Sequence, residues 1–573
     1  MGTELTRDEI IQLFRSGDLL RTIADRSRAR LTPDLSTTEA LCVELHNDGT
    51  IDILSLTSQE RLAAIDTPSF FWAAHAVRRL IPHLASDVTV LMQSVDQLIA
   101  RAGNDLSANW PNGELLEWFV RHPEEAQVVV TSARRGESLA VRHVTFALQA
   151  IGIAEEARAM AKDFADERKL AAITALSRIE DVDMAGYQKS LALFGELLEH
   201  SSDDSLHAHI LGAASWIFEK CDDAMKAEAA DVIRRATIGG GRMTRWSAAR
   251  SLRQHGTLVQ SEAFNSLIDL LSETTVEDLG TAEMIDGASN ALFLAGKAQQ
   301  TLELISTLID NSDGGLALEK FPCFVSSLST SSDTLARAAL TWLLSGSHAL
   351  CSGLLWHFQH SNEQAGPAIT VPSDAMPASD SDCEFVARKA VGWLILKPVT
   401  AASILVSLMR VCGEQAADDI ADLLASMLLA NYGSVHSYLA TLRDDQAVGR
   451  RIEGMLAANK DYLNGLQSVP DIPELRPSET HLRVQHERHA LRARETSKAA
   501  RKQSVFMSMI KQSRILHGAG TLSTAYGPGG ERHRIDTPFR TTGFSFELPR
   551  LEAIDPIGFD MVLRTLRLEK RTP

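Results

Sequence analysis

From about Phe70 onward, apolar residues recur at three- and four-residue intervals. "DVTVLMQSVDQLIARAG", "SLAVRHVTFALQAIG", "YQKSLALFGELLEHS" and "SEAFNSLIDLLSET" are examples. That spacing predicts helices with one buried face each, separated by short polar turns. Ahead of this region, Thr6 and Glu9 of "TRDE" form a capping box before Ile10, Ile11, Leu13 and Phe14, which predicts a first helix. "CVELHNDGTIDIL" (42–54) is read two ways. Alternation about Asn47-Asp48-Gly49 fits a β-hairpin, and a helix end followed by a loop fits equally well. "NEQAGPAITVPSDAMPASDSD" (362–382) carries three prolines and no helical period, which predicts a long exposed loop.

Some segments resemble one another. "FALQAIG", "RSLRQHG" and "NALFLAG" each place Leu four residues before Gly: Leu148 and Gly152, Leu252 and Gly256, Leu292 and Gly296. A helix pair cannot bury its apolar stripe alone, so similar pairs stack and share a core. The pattern from Phe70 to Leu466 resembles the HEAT and armadillo class of α-solenoid, whose helix pairs recur at about 40–47 residues. The resemblance is to the class only, because regular inter-repeat proline and aspartate positions are lacking. It implies an all-α, irregular HEAT-like solenoid of stacked helix pairs. The expected organisation is an N-terminal cap over 1–69, helical repeats over 70–361, the exposed loop 362–382 and further helix pairs over 383–466. A Pro-rich linker (467–478), a basic helix (479–515) and a β-containing extension (516–573) follow. Within the extension a small β element is expected at 520–550 and a short helix or strand at 558–568.

Charge divides the chain more sharply than hydropathy does. Net charge is −17, yet residues 476–573 carry 18 Lys/Arg against 10 Asp/Glu. An acidic body with a basic tail suggests a tail that docks on its own body or on an anionic partner. Six scattered cysteines without a C-x-x-C pair point to a reducing, cytoplasmic compartment. Gly2 and Thr6 match a loose myristoylation pattern that is too common to weigh. The most apolar stretch, 390–409, is broken by Lys397 and Pro398 and reads as a buried helix pair.

Candidate chemistry is sparse. His348, Cys351, His357 and His360 have zinc-ligand chemistry, but on one helix the first two face away from the last two. His481, His486 and His489 sit among arginines that would repel a cation. "IGGGRMT" (238–244) lacks the strand and the Gly-Lys-Ser/Thr of a phosphate loop and reads as a turn. Asp203-Asp204 and Asp222-Asp223 fall at helix starts, where carboxylates favour the dipole. No metal, cofactor, small-molecule substrate or catalytic motif is expected.

The tail therefore carries the functional reading. The expected contact residues are Arg483, Arg488, Arg492, Arg494, Lys498, Arg501 and Lys502, with the apolar stripe Phe506, Met509 and Ile510. The favoured reading is a non-catalytic, cytoplasmic scaffold or adaptor that docks an acidic protein surface, its own or a partner's. The alternatives are phosphate contact with nucleic acid through residues 479–515 and a regulatory subunit of an enzyme complex. The arginine-rich stretch 479–503 of the basic helix lacks aromatics for base stacking, which disfavours single-stranded nucleic acid.

Overall fold

A computed structural model describes residues 4–27, 35–103, 111–179, 183–312, 314–359, 365–470, 472–473, 476–503, 520–526, 532–538 and 547–571. The fold is all-α, a helical-repeat solenoid of stacked helices. Two units are distinguished: Met1–Ala338 with Ser352–Trp356, and Ala339–Cys351 with His357–Pro573.

In the first unit the helices lie in two rows. One row runs Ser138–Ile151, Glu167–Arg178, Asp204–Lys220, Arg242–Gln254, Leu279–Leu294 and Pro322–Ser329, each packed on the next. The other runs Ala154–Asp163, Met184–Glu199, Asp223–Thr237, Phe264–Ser272 and Ala298–Asp310. Starts at Glu167, Asp204, Arg242 and Leu279 are spaced 37, 38 and 37 residues apart, slightly tighter than expected from the pattern. Ala and Leu fill the space between rows: Ala172, Ile173, Ala214, Ile217, Ala248 and Leu252 are all buried. Small side chains let neighbouring helices approach, and burial of the larger ones contributes about 1.5–3 kcal/mol each.

The capping box at Thr6 forms as predicted, with Glu9 reaching back to the Thr6 backbone. The hairpin alternative for 42–54 is corrected. Ser36 and Glu39 make a second capping box that starts the helix Thr37–Asn47. Asn47-Asp48-Gly49 then ends that helix, with the Thr50 and Ile51 N–H groups returning to the Leu45 carbonyl. A short 3-10 turn, Leu54–Thr57, replaces the second strand. Of the Leu-x-x-x-Gly repeats, Gly152 ends its helix at φ 68°, donating to Leu148 and Gln149. Gly256 does not, because its helix has already ended at Gln254 and the glycine opens a 3-10 turn.

In the second unit, Asp380–Leu394, Pro398–Met409, Glu414–Leu423, Gly433–Ala440 and Gly449–Ser468 supply the core. The Pro398–Met409 helix is buried almost all round, as the apolar run 390–409 implies. The exposed loop expected at 362–382 is corrected around Ile369 and Val371, whereas Ser373, Asp374 and residues 378–381 are exposed as expected. Ile369 and Val371 are buried, and their N–H groups donate to Ser403 Oγ (3.0 Å) and Ser407 Oγ (3.4 Å). Prolines prevent a helix here, but hydroxyls on the buried helix satisfy the extended backbone and let it pack. A described helix, Glu479–Gln503, covers most of the basic segment. Strands Gly520–Tyr526 and Arg532–Pro538 pair antiparallel, and helices Arg550–Ile554 and Pro556–Leu568 end the chain. Among the described residues no helix is long and apolar enough to cross a membrane.

Candidate partner-binding site

The C-terminal segment 547–571 packs on helices of the second unit, and named polar contacts hold it there. The Glu547 carboxylate accepts from the N–H groups of Gly433 and Ser434 and from Ser434 Oγ (2.7 Å). A carboxylate at that helix start also meets the positive end of the dipole. Leu551 N–H donates to Asn431 Oδ1 at 2.9 Å. Asn431 is itself placed by a widened helical turn over Leu424–Leu429, whose freed Ser426 and Met427 carbonyls accept its Nδ2 at 3.1 and 3.0 Å. Such widened turns often occur at functional sites.

The terminal helix Pro556–Leu568 begins at an Asp555 cap and buries Phe559 and Leu563. It packs on Asp380–Leu394. Arg567 Nε donates to the Gly392 carbonyl (2.6 Å), and Lys389 Nζ donates to the Arg567 carbonyl. Glu569 pairs with Arg388 at 3.0 Å and Arg571 with Asp382 at 2.6 Å. Lys389 is fully buried, and burial lowers its pKa, with the Cys351 and Glu569 side chains opposing that shift.

A cleft of about 790 Å³ lies where the extension departs and returns. The departing helix contributes Met455, Asn459 and Tyr462, and the returning segment contributes Arg550, Leu551 and Ile554. Tyr462 and Ile554 are exposed there, whereas Leu423 across the cleft belongs to the fixed core helix Glu414–Leu423. The walls can therefore offer apolar contact together with the charges of Asp419, Asp422 and Arg550.

The basic helix stands apart from these contacts. Arg483, Arg488, Arg494 and Lys498 are exposed, and among the described residues none forms an ion pair. The side chains of Arg492, Arg501 and Lys502, and all of Phe506, Met509 and Ile510, lie outside the described residues. Docking on the chain's own body is thus made by 547–571, not by the described arginines of 479–503. A signal for it was present in the sequence: Asp555-Pro556 starts a helix, and Phe559 and Leu563 lie four apart.

The other candidates are placed as follows in the described residues. His348 meets the Trp393 ring edge-on at 4.9 Å, while the Cys351 thiol donates to the Trp342 carbonyl at 3.3 Å. Burial pushes that thiol up to about 12. His360 lies outside the described residues, and among those described no three potential ligands are placed to share a metal ion. In "IGGGRMT" the anion position at the next helix start is taken by Asp204, which accepts from Gly241 N–H (2.7 Å), Met243 N–H (2.7 Å), Thr244 N–H (3.1 Å) and Thr244 Oγ1 (2.6 Å). A phosphate there would have to displace a bonded carboxylate. Asp203 and Asp222 cap their own helices.

No protein-family model matches the chain, and no curated protein matches it. Among solved structures it is similar to a circular tandem repeat protein with novel repeat topology and enhanced subunit contact surfaces. That likeness has 13% identity and a TM-score of 0.17, and covers 81% of this chain and 98% of the other.

Proposed function

We propose that the protein is a non-catalytic scaffold or adaptor of the HEAT-like kind, and that its C-terminal extension receives an acidic surface of a partner protein. One observation carries the reading. A basic helix with no ion pair among its described side chains begins a short way beyond the Gly449–Ser468 helix, and the chain after it is fastened back onto the same unit. Anchoring at both ends limits the freedom lost when a partner binds, and four exposed cations supply charge complementarity. The adjoining cleft adds apolar contact. The reading places the protein in the cytoplasm, in keeping with its six free cysteines.

The test is capture of partners from nuclease-treated native lysate, followed by affinity measurement with the purified partner. Replacing Arg483, Arg488, Arg494 and Lys498 by Glu is expected to weaken binding at least about tenfold. Undiminished binding would refute the reading. Capture that disappears with nuclease would assign the helix to nucleic acid instead.

A further inference from the structure

A different surface, in the first unit, bears two arginines without an ion pair among the described residues. The helices Glu167–Arg178, Asp204–Lys220 and Arg242–Gln254 stand side by side in one row, and a groove of about 190 Å³ runs across them. Arg178, His209, Trp216, Trp246, Arg250 and His255 line it. Arg178 makes no side-chain hydrogen bond and no ion pair among the described residues. Among the described residues Arg250 bonds to the neutral Gln254 Oε1 at 3.1 Å, without an ion pair, and lies over the Trp246 ring at 5.4 Å.

Two guanidinium groups so placed are costly. Burial lowers the pKa of Arg178, and the charge of Arg250 lowers it further; burial acts on Arg250 in the same direction. Lys220 adds a third cation, its Nζ held by the Ser177 carbonyl at 3.2 Å. Glu219 lies 3.8 Å from His255 Nδ1 and accepts from the Thr257 hydroxyl. Glu180 and Asp181, which follow Ile179 in the chain, lie outside the described residues. Three arginines of the same row meet carboxylates: Arg242 and Arg245 both meet Asp278, and Arg168 meets Asp166, while Arg253 donates to the Met284 sulfur. A helix C-terminus accounts for a cation in the last turn at Arg178, but not for a second one lining the same groove.

The aromatic side chains narrow the ligand. Trp216 is 36% exposed although its ring is fixed edge-on to His255 at 4.9 Å, and Met243 beside it is 48% exposed. Rigid, partly exposed indoles and a methionine suit apolar side chains, and paired guanidinium groups suit carboxylates. We infer that this groove binds an acidic polypeptide segment of a partner, with a carboxylate bridging Arg178 and Arg250 and a neighbouring apolar side chain against Trp216. The site is independent of the C-terminal extension.

The experiment uses the full chain and a fluorescein-labelled peptide alternating Glu with Leu and Phe, read by anisotropy, with oligothymidylate as a second probe. The wild type is expected to bind the peptide in a salt-sensitive manner. The Arg178→Gln/Arg250→Gln double variant is expected to bind at least about tenfold more weakly, and Trp216→Ala several-fold more weakly. Because the arginines repel each other, the double variant should melt no lower than the wild type. Absence of peptide binding, equal binding by wild type and double variant, arginine-dependent binding of oligothymidylate in place of peptide, or a lower melting midpoint would each overturn the inference.

Discussion

Asp204 shows how much one side chain can organise in a stacked-helix protein. It lies in the first turn of one helix and satisfies the start of the next helix in the row. Burial pushes its pKa upward, but the hydrogen bonds from Thr244, Met243 and Gly241 outweigh that and hold it below the ordinary carboxylate value. Its stabilising contribution is therefore present above the unfolded carboxylate pKa and lost as pH falls through the folded one. Asp204→Ala is expected to cost about 2–3 kcal/mol, and Asp204→Asn less, because one acceptor oxygen survives. Denaturant unfolding checks both. The sequence placed Asp204 at a helix start but could not reveal that it serves a helix about 40 residues away. Only stacking brings those backbone groups to it. Asp286 acts in the same way on the N–H groups of Cys323 and Phe324, at 3.1 and 2.9 Å.

Among the elements, the terminal helix Pro556–Leu568 departs most from the sequence reading. Charge asymmetry is the visible signal in the tail, and it points to docking through the arginine-rich helix. Among the described residues, the contacts made on the second unit come from a segment of mixed charge whose carboxylate, arginines and backbone find specific partners. Close approach is part of that fit: a Cβ on Gly392 would come within 2.9 Å of Leu566 Cβ and 3.3 Å of Arg567 N. Gly392→Leu is expected to weaken docking by about 1–3 kcal/mol through overpacking. Hydrogen exchange should then rise over 550–571 while remaining unchanged over the helices of the first unit. The segment 362–382 departs from expectation for a related reason. Prolines correctly excluded a helix, but composition could not show that Ser403 and Ser407 would receive its backbone.

Across the whole molecule, each unit has its own core, and among the described residues the histidines with shifted pKa values fall in the first. His46, His75, His143 and His255 all have pKa values lowered, chiefly by burial. For a histidine whose folded pKa is depressed, the unfolded chain takes up protons first as pH falls. Stability is therefore full above the unfolded histidine value of about 6.5 and declines below it until the folded pKa is reached. Thermal unfolding of the first unit is expected to shift downward between about pH 7 and pH 5, above the range in which most carboxylates titrate. A midpoint flat across that range would contradict the assignment.

Periodicity alone carried the all-α class, because a helix with one apolar face must bury it and repeated helices must bury it against one another. It carried the first capping box and the buried character of 390–409, since those depend on residues near in sequence. Charge counting separated an acidic body from a basic tail for the same reason: it needs no geometry. The tertiary structure decided which polar groups meet. It folded 365–372 onto a buried helix and fastened 547–571 to the second unit. It also set Arg178 and Arg250 in one groove without an ion pair among the described residues. These three depend on atoms brought together by packing from distant parts of the chain, and local sequence holds no record of that distance; the helix end at 42–54 is set locally, by the Ser36 and Glu39 capping box that starts its helix.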